Sequence, residues 1–313
     1  MLFSAKPIGH LLAIFTIFVW SITYISTKIL VADFHPVEIL IIRFIIGMLV
    51  LSILYPHLPK FQKSEEPFYV LAGLTGGCLY FLIENYAVTM TTATNVGIIL
   101  VITPMLTAIA NKICYPKSEP ITLKFVIGFL LAFIGIIILS LKGTGAAQNN
   151  GFQFNPMGDS LAVLAGAVFA VYSVVCRKIG YFAHNTLDDT RKTFFYGVLF
   201  IIPTLFFVEI EPYTVEHLAK FLKPANAFNI LFLGIIASAL CFGSWNQAVK
   251  VIGPVTTIVY LYATPIITLT FAYLILGEQL TILGYLGCVL IMLGLVLSQN
   301  FSIKDIKQKL FKK

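Results

Sequence analysis

Ten long apolar stretches run along this chain, and they constrain its fold more than any other feature of the sequence. Each has about the 20 residues that an α-helix needs to cross the ~30 Å hydrocarbon core of a bilayer. The stretches do not alternate in polarity as membrane-barrel strands do, so an all-α integral membrane protein with ten transmembrane helices is predicted. Their predicted limits are 8–28, 36–56, 67–89, 93–113, 121–141, 157–178, 189–208, 228–248, 253–276 and 280–300.

The composition agrees with a lipid environment. Of the 313 residues, 58% are hydrophobic and only 11% are charged, whereas soluble domains have roughly 45–50% and about 25%. The net charge is +7, but the basic residues lie at helix ends and in the C-terminal tail, which is typical of topology signals rather than of nucleic-acid binding. The five cysteines lack the clustered spacing of disulfide or metal sites. We therefore expect no metal, no cofactor and no nucleic-acid partner.

The basic residues also predict an orientation. With the N-terminus in the cytoplasm, 16 of the 21 Lys and Arg residues fall on the cytoplasmic side and 4 on the outer side, while Arg43 lies inside the second span. Such a bias is the positive-inside pattern of membrane proteins. We expect a multi-pass protein of the cell membrane, the inner membrane in a bacterium, with both termini in the cytoplasm.

The two halves of the chain repeat one pattern at a near-constant offset of 149–161 residues. Each half contains five predicted spans, and because five is odd, the second half enters the membrane from the opposite side. The sequence thus predicts two inverted-topology five-helix repeats, 1–145 and 156–300, followed by a basic cytoplasmic tail, 301–313. The matching pairs include Trp20 and Phe169, Phe44 and Phe194, Gly47 and Gly197, Asn85 and Asn246, Thr103 and Thr264, Gly128 and Gly287, and Gly135 and Gly294.

Prolines occupy matching positions in the fourth and ninth predicted spans. Pro104 and Pro265 each follow a threonine near the middle of the span. Proline removes a backbone donor and kinks a helix, and in lipid the freed carbonyl groups must find partners or line a cavity. We predict that both prolines are hinges beside a central site; a purely structural kink is the alternative.

Glu84 and Arg43 are ionisable residues within predicted spans that could take part in transport. Glu84 is in the third span, with Tyr80 one turn earlier on the same face. An intramembrane carboxylate marks a functional site by default, and this one is a candidate proton-coupling group; a carboxylate near the outer interface is the alternative. Arg43, in the second span, could bind a carboxylate or phosphate of the substrate, or act as a structural gate by pairing with Glu84 or Glu38.

Aromatic and amide side chains complete the predicted substrate site. Trp20 and Tyr24 lie one helical turn apart in the first span. Such groups stack on an amphipathic solute and form hydrogen bonds with it, although packing and interfacial belts are the alternative for each aromatic residue. The other predicted substrate contacts are Tyr80, Glu84, Asn85, Asn95, Tyr172, Trp245, Asn246, Tyr260 and Tyr262.

In their order and spacing, these features resemble the EamA-type family of the drug/metabolite transporter superfamily. The first half departs from the pattern, because Lys117-Ser118-Glu119 replaces the Gly-Glu pair of the second half. The resemblance implies ten helices in two inverted halves and the export or exchange of small metabolites, often amino acids or nucleobase-like compounds. It is carried by Ala13 with Trp20-Ser21, Arg43, the two Thr-Pro pairs, and Gly277-Glu278 with Thr281, Gly287 and Gly294.

A secondary transporter that works by alternating access is the function that these features favour. The chain has no phosphate-binding loop, so a gradient of protons or of the substrate itself is expected to drive transport. A channel or lipid flippase is the alternative; an intramembrane enzyme is less favoured, because the deep ionisable residues are nearly alone and HExxH and GxSxG motifs are absent. The expected partners are a small-molecule substrate and the lipid bilayer, for a monomer or homodimer.

Overall fold

The computed structural model describes residues 5–57, 61–90, 96, 99–118, 120–142, 155–210, 212, 214–264, 266–267, 270 and 282–298. Within these ranges every regular element is a helix, and no strand occurs. All-helical folding follows from the apolar stretches, because a helix satisfies its backbone hydrogen bonds internally.

The first half begins with two long helices, α1 (Ala5–Leu30) and α2 (Pro36–Leu54). The third predicted span is one continuous helix, but its middle is π-helical. It consists of α3 (Glu66–Ala72), a π-helical segment π1 (Gly73–Leu79) and α4 (Tyr80–Met90). The half continues with α5 (Thr103–Cys114) and α6 (Leu123–Lys142).

The second half begins with α7 (Pro156–Gly180) and α8 (Thr186–Ile201), followed by a 3₁₀ segment, Ile202–Phe207, and a short helix, α9 (Val215–Phe221). The next long helix again has a π-helical middle: α10 (Pro224–Leu231), π2 (Phe232–Leu240) and α11 (Cys241–Ile252). The remaining described elements are α12 (Pro254–Ile258), a 3₁₀ segment, Val259–Ala263, and α13 (Ile282–Ser298).

Local sequence explains where several helices begin. Proline occupies the first turn of α2, α3, α5, α7, α10 and α12, where its missing N–H costs no helical hydrogen bond. Side-chain caps add to this at α7, where Asn155 accepts from the Gly158 N–H, and at α8, where Asn185 accepts from the Leu187 N–H.

Five helices in the described part of the chain are long and apolar enough to cross a membrane. They coincide with the first, second, third, sixth and eighth predicted spans, and shorter apolar helices lie at 123–138, 254–263 and 285–298. The predicted total of ten spans stays a prediction. The five long helices are Lys6–Thr23, Pro36–Leu54, Glu66–Glu84, Pro156–Gly180 and Pro224–Ile252.

Helices α6 and α13 pack closely against each other along their glycines. A Cβ atom added at Gly128 would lie 2.7 Å from the Gly294 carbonyl oxygen, and one added at Gly135 would lie 2.7 Å from the Gly287 carbonyl oxygen. Small residues permit such close approach between membrane helices. The glycines of α6 and α13 therefore face each other within one chain.

Each π-helical segment packs against the second helix of the other half. A Cβ atom added at Gly77 of π1 would lie 2.8 Å from the Gly197 Cα of α8, and one added at Gly47 of α2 would lie 3.1 Å from the Ser238 Cβ of π2. In the repeat pattern Gly47 corresponds to Gly197, and Gly77 corresponds to Ser238. The same close contact thus occurs twice, once for each π-helical segment.

Candidate functional site

A cluster of aromatic rings fills the middle of the bundle, where α1, α7 and α11 meet. The Trp20 ring centroid lies 5.2 Å from that of Trp245, 5.2 Å from that of Phe242 and 6.4 Å from that of Phe169. Trp245 is fully buried, whereas Trp20 is half-buried. The repeat-related pair Trp20 and Phe169 is therefore in direct contact across the two halves.

The π2 segment provides polar partners for this cluster. The Trp20 Nε1–H donates to the Ala237 carbonyl oxygen at 3.0 Å, and the Arg43 Nε–H donates to the Ser238 Oγ at 3.0 Å. A π-helix replaces i→i+4 hydrogen bonds by i→i+5 bonds and is frequently found at functional sites. The two residues that π2 binds come from α1 and α2 of the other half.

Arg43 is buried, with only 8% of its surface exposed. Its guanidinium carbon lies 5.2 Å from the Phe81 ring centroid and 5.8 Å from that of Phe44, in cation–π geometry. Neither predicted pairing is formed: Glu38 binds the His217 Nε2 at 2.8 Å instead, and no ion pair joins Arg43 to Glu84 in the described part of the chain. The ion pair that a structural gate at Arg43 would require is therefore not formed in the described part of the chain.

Glu84 lies in α4 and is half-buried. The Tyr80 hydroxyl, one turn earlier, donates to the Glu84 Oε1 at 3.1 Å. The Tyr80 ring centroid lies 5.0 Å from that of Phe81 and 5.0 Å from that of Phe169. Tyr80 and Phe81 therefore connect the carboxylate, the guanidinium and the aromatic cluster.

Tyr172 and Asn246 form a buried hydrogen-bonded network next to the aromatic cluster. The Tyr172 hydroxyl donates to the Asn246 Oδ1 at 2.9 Å, and the Asn246 Nδ2 donates to the Thr190 Oγ1 at 3.0 Å. The Cys176 thiol donates to the same Asn246 oxygen at 3.3 Å. These two predicted substrate contacts are thus engaged with each other and link α7, α8 and α11.

Neither Tyr260 nor Tyr262 forms a hydrogen bond with Arg43 or Glu84 in the described part of the chain. The Tyr260 hydroxyl forms a 2.7 Å hydrogen bond with the His10 Nδ1 near the start of α1. Tyr262 is buried in a second apolar cluster with Ala132 of α6 and Ile291 of α13. The structure thus gives both tyrosines packing or capping contacts.

The predicted hinge Pro104 lies in the first turn of α5, directly after a turn at Val101 and Ile102. The Thr103 hydroxyl donates to the Leu100 carbonyl oxygen at 2.5 Å. The fourth span is therefore interrupted before this proline, not merely kinked at it. Asn95, Pro265 and the side chains of Tyr24 and Asn85 lie outside the described residues.

A polar cluster that the sequence did not single out joins α3 to α8 at the end of the bundle where α1 begins. The Lys192 Nζ lies 2.5 Å from the Glu66 Oε1, and the Tyr196 hydroxyl donates to the other Glu66 oxygen at 2.7 Å. The Tyr69 hydroxyl donates to the Asp189 Oδ1 at 2.5 Å. The charged residues in the first two turns of α8 could have indicated this cluster, but the basic ones were interpreted as topology signals.

At the opposite end, where α1 ends and α2 begins, α9 and α10 pack against the α1–α2 connection. Here the buried His217 binds Glu38, and the Lys223 Nζ lies 2.9 Å from the Asp33 Oδ1. The Asn226 amide donates to the other Asp33 oxygen at 2.8 Å. Hydrogen bonds from Asn226 and Lys223 hold the pKa of the Asp33 carboxyl below its usual value.

A groove of about 460 Å³ lies between α1, α8 and α11 near the start of α1. Both halves line it, with Leu12 from the first and Thr186, Gln247 and Lys250 from the second. Across the described residues, no group of three His, Cys, Asp or Glu side chains is placed to hold a metal ion. The groove offers a charge and hydrogen-bonding groups for a solute.

Comparisons with known proteins agree on one family. The model of the EamA-like transporter family matches residues 7–141 and 156–299. Relatives include an uncharacterized transporter of Archaeoglobus fulgidus, 26% identical over 92% of this chain and 96% of that protein, and the uncharacterized transporter YyaM of Bacillus subtilis, 25% identical over 88% of each. A protein of Streptantibioticus cattleyicolor named as a probable terminal-alkyne amino-acid exporter is 24% identical over 75% of this chain and 74% of its own.

A solved crystal structure shares the fold. Its TM-score is 0.72, with 19% sequence identity, and the match covers 93% of this chain and 97% of the other.

Proposed function

Because the chain belongs to the EamA-like transporter family, we propose that it is a secondary active transporter that moves a small metabolite by alternating access. It is a multi-pass membrane protein, with five long apolar helices in the part that the structure describes. Its relatives are named as transporters. The proposal adds a mechanism and a class of cargo to that family membership.

The observation that carries the proposal is the contact that occurs twice between the halves. Gly77 of π1 meets Gly197 of α8, and the repeat-related Ser238 of π2 meets Gly47 of α2. Two inverted five-helix halves, ten spans in all, would produce such exchanged contacts. In this architecture the halves rock around a site between them, which opens first to one side and then to the other.

The two polar clusters between the halves suit such a cycle. Glu66 and Lys192 hold α3 to α8 at one end, and Glu38 and His217 hold α2 to α9 at the other. An alternating-access protein needs contacts at each end that break in turn. We take the cluster of Glu66 and Lys192 as the cytoplasmic contact, since the basic-residue bias orients both termini toward the cytoplasm of a cell-membrane protein.

An amino acid or a nucleoside-like compound is the proposed cargo, and export or exchange the proposed direction. The rings of Tyr80 and Phe81 lie beside Glu84 and Arg43, which suits a small solute with apolar and polar parts. The amino-acid exporter named among the relatives supports the first class. Glu84 is the proposed site for a coupled proton, because intramembrane carboxylates commonly serve as proton relays.

Solute exchange in proteoliposomes tests the proposal. Purified protein is reconstituted into vesicles loaded with an unlabelled amino acid or nucleoside. The same solute, labelled, is then added outside, and its accumulation inside the vesicles is measured. Counterflow above protein-free liposomes supports a transporter. Failure to exchange any solute, with or without a pH gradient, would exclude it, whereas single-channel currents would indicate the channel alternative.

A further inference from the structure

We propose that Arg43 and Glu84 together form a divided binding site for a zwitterion, with Arg43 binding its carboxylate and Glu84 its ammonium group. The inference rests on the proposed transport function and names the charge pattern of its cargo. It separates two classes that the proposed function leaves open, because an amino acid is a zwitterion at neutral pH and an uncharged nucleoside is not.

Arg43 has the geometry of an anion-binding residue. Its Nε–H is used by Ser238 and its plane lies against Phe81, so the guanidinium is held in one orientation. Within the described part of the chain, no hydrogen bond engages its two terminal amino groups. A charge buried in a membrane helix is costly and is normally paired. Two parallel N–H donors match the two oxygens of a carboxylate.

Glu84 supplies the complementary group. One carboxylate oxygen accepts from the Tyr80 hydroxyl at 3.1 Å, and no hydrogen bond in the described part of the chain engages the other. The side chain is half-buried, so part of its surface is not covered by the protein. An ammonium group carries three donors and no acceptor, which fits a carboxylate with one oxygen available.

The two charges lie at a similar depth. Arg43 is seven residues from the first residue of α2, and Glu84 is six residues from the last residue of α4, about 10 and 9 Å at the helical rise. The α2 start and the α4 end lie at the same end of the bundle. Phe81 contacts Arg43 and packs on Tyr80, which binds Glu84, but no ion pair joins the two charges in the described residues.

The aromatic rings define the rest of the solute. Phe81 lies against Arg43, Tyr80 binds Glu84, and Phe169 lies 5.0 Å from Tyr80 between ring centroids. An apolar side chain on the zwitterion can pack on these rings. A solute with only one of the two charges would leave Glu84 or Arg43 desolvated and unpaired, which weakens binding about tenfold or more.

Matched ligand sets test the inference on the wild-type protein. Binding at pH 7 is measured by thermal shift with L-alanine, L-leucine and L-phenylalanine, each compared with its deaminated acid and its decarboxylated amine; uridine serves as the neutral solute. We expect at least one amino acid to bind about tenfold or more tightly than both of its analogues and uridine. If none binds better than its analogues, or if uridine binds equally well, the inference is wrong.

Two variants then assign the charges. In Glu84→Gln, the preference for the amino acid over the deaminated acid should fall about tenfold, because the ammonium group has lost its partner. In Arg43→Gln, the preference over the amine should fall by a similar factor, and Arg43→Lys should restore part of it. These are ratios of affinities within one variant, so a general loss of folded protein does not change them. Glu216→Gln, on the exposed face of α9, is the control.

The result separates this inference from the proposed function. If the protein exchanges uridine in proteoliposomes, and both variants bind uridine as tightly as the wild type does, it is a transporter without the zwitterion site. A protein that binds amino acids with the expected preference but exchanges no solute retains the site and contradicts the transport function.

Discussion

Replacing Gly77 by alanine should push π1 and α8 apart. The new Cβ atom would lie 2.8 Å from the Gly197 Cα. The position of a Cβ atom is fixed by its own backbone and Gly197 Cα is itself a backbone atom, so no side-chain rotation can relieve the contact. Alanine gains about 0.5–1 kcal/mol over glycine in a helix, whereas overpacking costs about 1–3 kcal/mol. The variant should therefore lose about 1 kcal/mol of stability.

Gly243→Ala is the matched control in α11. The nearest heavy atom to its new Cβ is the Leu187 Cδ2 at 3.3 Å, which is the flexible end of a side chain. Here the helix-propensity gain should remain, about 0.5 kcal/mol. The two glycine-to-alanine changes should thus differ in stability by about 1–2 kcal/mol, in favour of the control, according to the overpacking cost.

Tryptophan fluorescence on heating measures the difference. The chain contains only two tryptophans, Trp20 and Trp245, and both lie in the aromatic cluster, so the signal reports unfolding of the bundle's centre. At roughly 2 °C per kcal/mol, Gly77→Ala should melt about 2–4 °C below Gly243→Ala. Equal melting temperatures, or a higher value for Gly77→Ala, would show that the Gly77–Gly197 contact can relax freely and would refute the argument.

Three further changes address the charged contacts. Lys192→Met should cost about 3 kcal/mol, because it leaves the Glu66 carboxylate without its buried cation; adding Glu66→Gln should recover most of the lost melting temperature, and no recovery would contradict a direct pair. His217→Ala should destabilise by a similar amount, since Glu38 is fully buried against it; a melting temperature equal to that of the wild type would exclude the pair as a stabilising contact. The pKa of Asp33 is lowered in the folded state, so its carboxylate stabilises the fold above the usual pKa of about 3.8, and this stabilisation is lost as the pH falls below that value. Asp33→Asn should therefore reduce the fall in melting temperature at acid pH. A fall as steep as that of the wild type would contradict this.

Hydropathy predicted the helices better than it predicted their internal geometry. The third and eighth predicted spans are single helices, as expected, yet each is π-helical in the middle, at 73–79 and 232–240. Glycine-rich composition at Gly73, Gly76 and Gly77 was visible in the sequence. Only the packing of α8 against Gly73 and Gly77, and of the Tyr172 ring of α7 against Gly76, shows why these positions lack side chains. Hydropathy is a property of a local window, whereas a π-helical segment depends on what packs against it.

For the site as well, the sequence identified candidate residues but not their contacts. The sequence selected Arg43, Glu84, Tyr80 and Trp20 because charges and aromatic rings within apolar stretches are conspicuous. In the structure Tyr80 binds Glu84 and Phe81 contacts both Tyr80 and Arg43, whereas Trp20 packs in the aromatic cluster. Tyr172 met the same criterion, yet its hydroxyl is engaged in a buried network. Composition identifies a side chain that can bind a solute; it does not show whether a neighbouring helix already binds it.

By itself, the sequence determined that this protein lies in a membrane, that its regular elements are helices, where many of them begin, and which ionisable groups lie within apolar helices. These properties follow from the transfer of residues and backbone into lipid, which each segment undergoes independently. Only the tertiary structure decided that Glu38 binds His217 rather than Arg43, that Ser238 holds the Arg43 guanidinium, and that Glu66 faces Lys192. The partners in these pairs are separated by 126 to 195 residues. Such pairings depend on which helices become neighbours, which the polarity of an individual segment does not encode.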